Sequence, residues 1–266
     1  MRVVNLASGS KGNCSFIEAG GVRILIDAGL SVVEIERRLA AIGEKAQDID
    51  AIFITHEHVD HVKGFVGFLK KYKARGFIHK QILDKVLLGA TSEIYDKTSA
   101  ITAYELNFHN VKIIPFELPH DSLICLGYMV EYNKRKVAFV TDLGMLPLSV
   151  LDMLCGVELI YIESNHDKKM LNNCHYPYIV KQRISGNHGH LSNDQASEII
   201  VNLAKMGTKF FVLSHISENS NTIEQAYLTN AKALENAGFI LEKDVFLRYS
   251  RQDRPGNNFN FGDNNE

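Results

Sequence analysis

"THEHVDH" occupies residues 55–61 and follows directly on the apolar run "AIFI" at 51–54. Three imidazoles and two carboxylates crowd into those seven residues. A short β-branched and aromatic run reads as a buried strand, so this one stops and hands a cluster of polar groups to the turn behind it. A strand fixes its terminal side chain, and the loops of several strands can converge on one point. The same pattern recurs along the chain. "VRILID" ends on Asp27, "VKIIPFELPH" on His120, "KVAFVTD" on Asp142, "ELIYIESNH" on His166 and "KFFVLSH" on His215.

Helices with readable ends lie between these runs. "SVVEIERRLAAIG" sets Ser31 and Glu34 in capping-box spacing and stops at Gly43, and "SNDQASEIIVNLAKMG" does the same with Ser192, Gln195 and Gly207. Val62, Phe65, Val66 and Leu69 share one helical face behind the opening motif, and "NTIEQAYLTNAKALENAG" reads as a last helix. With no repeat and no linker, residues 1–249 predict one domain, a sandwich of sheets covered by helices. Residues 250–266, with "RQDRPGNNFNFGDNNE", are polar, Asn-rich and aperiodic, which predicts a disordered tail.

Composition narrows the function classes. Of 266 residues, 45% are apolar, enough for a substantial core. The net charge of −2 supplies no global positive field, so a polyanionic substrate must be held by local cations. No apolar run approaches the roughly 18 residues of a membrane span, and "MRVVNLASGS" has no signal h-region. Cys14, Cys125, Cys155 and Cys174 form no C-x-x-C pair. They read as free, packing thiols of a cytoplasmic protein.

The candidate ligands are His56, His58, Asp60, His61, His120, Asp142 and His215. A lone histidine is more often a hydrogen-bonded core or surface residue, but four strand ends plus H-x-H-x-D-H spacing outweigh that reading. The N/O donor set suits zinc or manganese, with iron also accepted. Seven donors exceed one tetrahedral site and suit two divalent ions on the order of 3.5–4 Å apart.

The motif, with His120, Asp142 and His215 downstream and Asp27 in "LIDAGL", resembles the metallo-β-lactamase-fold hydrolases across most of the chain. The resemblance implies an α/β fold, an αββα sandwich of two mixed β-sheets flanked by helices. It also implies a division of ligands: His56, His58 and His120 for one metal, Asp60, His61 and His215 for the other, and Asp142 bridging. "LASGSKGNCSF", "ESNHD" and "GNHGHLSND" are similar to the YycJ (WalJ) branch. That likeness implies a metal-dependent phosphodiesterase, a 5′-to-3′ exonuclease on double-stranded DNA that uses a metal-bridging hydroxide and takes duplex ends as its partner.

On that reading Asp60 orients the attacking hydroxide, and His190 or a metal-bound water protonates the leaving group. "GNHGHLS" sets His188, His190 and Ser192 at a helix N-terminus, where backbone N–H groups favour an anion. Asn165 and His166 follow their strand toward the same face, where they either complete the expected substrate contacts or donate a bond to a metal ligand. The plainer reading of these loops is a cap at Ser192 and solvated histidines. Glu57 points away and is given no role in the chemistry. A thioester or lactone hydrolase on the same dinuclear site is the alternative; the extra donors in "ESNHD" and "GNHGHLS" tilt the choice toward a phosphodiester.

Overall fold

The computed structural model describes residues 1–262. Two seven-stranded sheets face each other. The first has the order β14-β1-β2-β3-β4-β5-β6, built from β1 (Arg2–Ala7), β2 (Cys14–Ala19), β3 (Val22–Ile26), β4 (Ala51–Phe53), β5 (Arg75–His79), β6 (Thr98–Ile101) and β14 (Asn258–Asn260). The second has the order β13-β12-β11-β10-β9-β8-β7, built from β7 (Leu106–Phe108), β8 (Val111–Leu118), β9 (Cys125–Tyr132), β10 (Arg135–Val140), β11 (Leu159–Glu163), β12 (Phe210–Ser214) and β13 (Phe246–Tyr249). Both are mixed. Hairpins make β1, β2 and β3 antiparallel, and β7, β8, β9 and β10 likewise. Crossovers make β3 to β6 and β10 to β13 parallel.

Three apolar layers hold this together. Ile17, Ile24, Phe53, Tyr128, Val137, Phe139 and Tyr161 fill the space between the sheets. Outside the first sheet, Ile35, Leu39, Phe65, Phe68 and Leu69 cover Phe16, Leu25 and Ile52. Outside the second, Ile200, Leu203, Ala226 and Leu234 cover Val140, Ile162 and Leu213. The order helix, sheet, sheet, helix is the expected αββα sandwich. Strands buried on both faces explain why the runs read as continuously apolar rather than alternating. No helix among the described residues is long and apolar enough to cross a membrane.

Two expectations need correction. The stripe Val62, Phe65, Val66 and Leu69 spans two helices, Val59–Val62 and Phe65–Lys71. Gly64 interrupts them because its N–H bonds Ala28 O at 2.8 Å, and a Cβ there would meet Leu30 O at 2.2 Å. The segment read as a disordered tail is also structured as far as residue 262. It crosses from β13 to the first sheet, where β14 pairs antiparallel with β1. Phe261 is buried against Phe210 and under the Arg135 guanidinium. Residues 263–266 of that tail lie outside the described residues.

Candidate metal centre

All seven candidate ligands meet at one edge of the sandwich, beyond the C-terminal ends of β4, β8, β10 and β12. His56, His58, Asp60 and His61 lie on the turn after β4, His120 in the loop between β8 and β9, Asp142 after β10 and His215 after β12. His56 Nε2 lies 3.0 Å from His58 Nδ1. The His120 ring centroid is 5.1 Å from each of those two rings. Ligand atoms of His56, His58 and His120 fall within 4.8 Å of one another, and so do those of Asp60, His61 and His215. Asp142 lies between, grouped with His56 and His61 on one side and with His190 and His215 on the other.

An outer ring of acceptors and hydroxyls holds the imidazoles. His61 Nδ1 bonds Asp27 Oδ2 at 2.7 Å, His215 Nδ1 bonds Glu163 Oε1 at 2.7 Å, His120 Nδ1 bonds Gly189 O at 3.2 Å and His56 Nδ1 meets Thr55 Oγ1 at 3.0 Å. Fixing one ring nitrogen in this way aims the other at a metal. His120 Nε2, His215 Nε2 and Asp142 Oδ2 are buried and make no hydrogen bond, with Asp121 Oδ1 at 3.2 Å, Asp60 Oδ2 at 3.9 Å and His61 Nε2 at 3.5 Å as their charged neighbours. Such orphaned polar atoms are costly unless something binds them, and an N/O set of this kind is what divalent cations take. The residues present therefore fit divalent metal ions.

The local charge agrees. Burial disfavours the His61 imidazolium, but Asp27, Asp142 and Asp60 outweigh it and push its pKa up to about 9. His215 is raised too, with Asp142, Asp60 and Glu163 overcoming its burial. His56, buried among other imidazoles, is driven well below the ordinary value.

Local backbone geometry is unusual at three of these positions. Asp27 (φ 64°), Asp142 (φ 64°) and His215 (φ 52°) all adopt the left-handed region, at an order-of-magnitude cost of about 1–3 kcal/mol each. Gly29 has a different task. A Cβ on it would lie 1.6 Å from Asp60 O, so only glycine lets the chain after β3 pass behind the motif. Asn13, from the glycine-rich loop after β1, reaches in from the side, with Nδ2 2.9 Å from His61 Nε2 and 3.4 Å from Asp60 Oδ2.

The expected substrate contacts fare differently from one another. His190 stands at the centre, its ring centroid 5.2 Å from both His120 and His215. Its Nδ1 bonds Glu163 Oε1 at 2.9 Å. His188 is exposed on the neighbouring turn. Asn165 is buried and donates to His215 O at 2.9 Å. His166 is 1% exposed, and burial takes its pKa down to about 4. Ser192 is buried in a complete capping box with Gln195, at the start of the helix Asn193–Lys205. Asn165 braces His215 from behind and the cap consumes the Ser192 hydroxyl, while His166 Nδ1 is buried and makes no hydrogen bond. Glu163 was not singled out from the sequence. It is fully buried, takes both His190 and His215 on Oε1, and accepts Leu143 N and Leu191 N on Oε2. A carboxylate closing the wholly apolar run "LIYI" was the available signal.

Known proteins resemble this chain in sequence and in fold. Residues 22–216 match the Beta-lactamase superfamily domain. The chain is 31% identical to exodeoxyribonuclease WalJ of Streptococcus pneumoniae over 87% of each protein. It is 30% identical to exodeoxyribonuclease YycJ of Bacillus anthracis, over 88% of this chain and 89% of that one. The metallo-beta-lactamase fold protein YhfI from Bacillus subtilis superposes with a TM-score of 0.71 at 14% identity, covering 97% of this chain and 99% of its own, a likeness of fold. Candidate ligands gathered at strand ends over a mixed double sheet thus go together with relatives matched along most of their length, and the chain belongs to the β-lactamase superfamily, as a metallo-β-lactamase-fold enzyme of the branch that holds YycJ and WalJ.

Proposed function

We propose that this enzyme is a metal-dependent phosphodiesterase, a 5′-to-3′ exonuclease acting on the ends of double-stranded DNA. The observation that carries the reading is the His190–Glu163 pair. A hydrolase of this fold can activate water with its metal ligands alone; a proton donor beside them suits a poor leaving group such as a sugar alkoxide. His56, His58 and His120 would hold one divalent ion, and Asp60, His61 and His215 the other, with Asp142 between them. Manganese and zinc both suit the set. Bound there, such ions supply Lewis acidity that activates water and polarises the phosphoryl group.

The side chains then divide the work. Asp60, only partly buried, orients the attacking water. Glu163 holds the proton of His190 on Nδ1 and leaves Nε2 toward the site. Burial works against the His190 charge, but the Glu163 carboxylate outweighs it and raises the pKa, favouring the acid form. Arg183 pairs with Asp121, which follows His120 directly, and gives a local cation for the DNA backbone. The names of the two bacterial relatives support DNA as the substrate. End-labelled duplexes test the proposal: the 5′ label is expected to appear first as mononucleotide, and chelator is expected to stop the reaction. A fully metal-loaded protein that leaves duplexes intact and hydrolyses a thioester overturns it in favour of the acyl alternative.

A further inference from the structure

Glu57 sits in the middle of the opening motif yet belongs to neither ligand cluster. Its side chain is 3% exposed. Oε1 accepts the backbone N–H of Leu123 at 3.0 Å and Lys85 Nζ at 3.1 Å, while Oε2 is buried without a partner. Leu123 lies three residues past His120, in the loop between β8 and β9. One carboxylate therefore joins the loop carrying His56 and His58, on the first sheet, to the loop carrying His120, on the second.

Other ties connect these segments. Leu126 N bonds Thr55 O at 3.0 Å, the Tyr128 hydroxyl donates to Ile54 O at 2.7 Å, and Cys125 Sγ lies 3.9 Å from His56 Nδ1. All lie at the roots of the loops, in the strands or beside them. Leu123 and Lys85 are both exposed, so the Glu57 bond closes the outer side of the cluster. A buried carboxylate is costly, and an apolar side chain would pack there without that cost. What the carboxylate adds is a fixed distance between two loops whose imidazoles must each be held within about 0.5 Å of their productive positions to share one ion.

We infer that Glu57 is a positioning residue that sets His120 against the His56–His58 pair and so governs the affinity of the cation those three hold, an assignment that rests on the metal-centre reading proposed above. Manganese and cobalt titrations under chelator competition test it. The wild-type chain is expected to bind two ions. Glu57→Ala is expected to weaken one of them about 10–100-fold, the usual effect of losing an outer partner of a ligand, and to leave the other within about threefold. Glu57→Gln keeps an acceptor for Leu123 N and is expected to stay within about threefold at both sites, as is Lys85→Met. In a His215→Ala background, which disables the other cluster, Glu57→Ala shows the same loss. If Glu57→Ala does not fold, Glu57→Asp, one methylene short, gives the same one-sided loss. Unchanged affinities, equal losses at both sites, or a Gln variant as weak as the Ala variant overturn the inference while the wild type still binds two ions. A wild type that binds fewer than two overturns the metal-centre reading and this inference with it.

Discussion

Asp60→Asn separates ligand chemistry from folding most cleanly. The amide keeps the shape but loses a charge and a hard oxygen donor. Turnover of duplex DNA is expected to fall far more than tenfold, a factor equal to only about 1.4 kcal/mol of barrier, while the melting curve of the metal-free chain stays close to wild type. A variant retaining a tenth of normal kcat contradicts the assignment. His190→Ala tests a different function: both ions are expected to remain bound while phosphodiester turnover falls about 10²–10⁴-fold, the range for a lost general acid. Metal analysis beside the kinetics distinguishes this from a misplaced ligand. Proton release gives a third measurement. His61 must be neutral to ligate, and in the metal-free chain its pKa of about 9 keeps it protonated at neutral pH. Cation affinity is therefore expected to rise as pH increases toward 9, and calorimetry in two buffers near about pH 7.5 should show protons leaving on binding. No release contradicts this. The histidines that the structure gathers were legible because they stand past the ends of apolar strands or in the turn behind one of them. Glu163 was not, because a buried carboxylate is explained only by the partners that surround it.

Elements explain which motifs carried through to the site. Strand ends were readable because buried parallel strands are uniformly apolar and stop abruptly. The cap at Ser192 was readable for a local reason, its three-residue spacing to Gln195. What local spacing could not show is the direction in which the capped loop faces. Ser192 turns inward, accepting Gln195 N at 3.3 Å and donating to Gln195 Oε1 at 2.8 Å. Ser192→Ala is expected to cost about 1 kcal/mol of stability, as for other lost caps, with kcat and KM for duplex DNA unchanged. A shift in the urea midpoint checks the first part. A raised KM with an unchanged midpoint restores the phosphate-contact reading. The break at Gly64 was invisible to helical periodicity because it depends on Ala28 and Leu30, more than thirty residues earlier in the chain.

For the molecule as a whole, the last strand matters more than its composition suggested. "NFNF" at 258–261 carries a period-two pattern within an Asn-rich stretch, too short to stand out without β1 beside it. The segment also supports the site: Arg251 O accepts Ser8 N, and the Ser8 hydroxyl accepts His215 N at 2.8 Å. Phe261→Ala is expected to cost about 3 kcal/mol, or about 6–12 °C in Tm for a chain of this size; an unchanged Tm contradicts the packing of β14. The left-handed residues have a consequence for selection. Asp142 holds a strained backbone, yet its carboxylate faces His61 Nε2 at 3.5 Å and His215 Nδ1 at 3.4 Å. Burial works against its charge, but His215 and His61 outweigh it and lower its pKa. Replacing it with glycine relieves the strain but strips two buried imidazoles of that carboxylate, so the metal-free Asp142→Gly chain should melt below metal-free wild type, and only the wild type gains from added manganese. Added metal would widen that gap, so selection for durability and selection for activity pull the same way at this position.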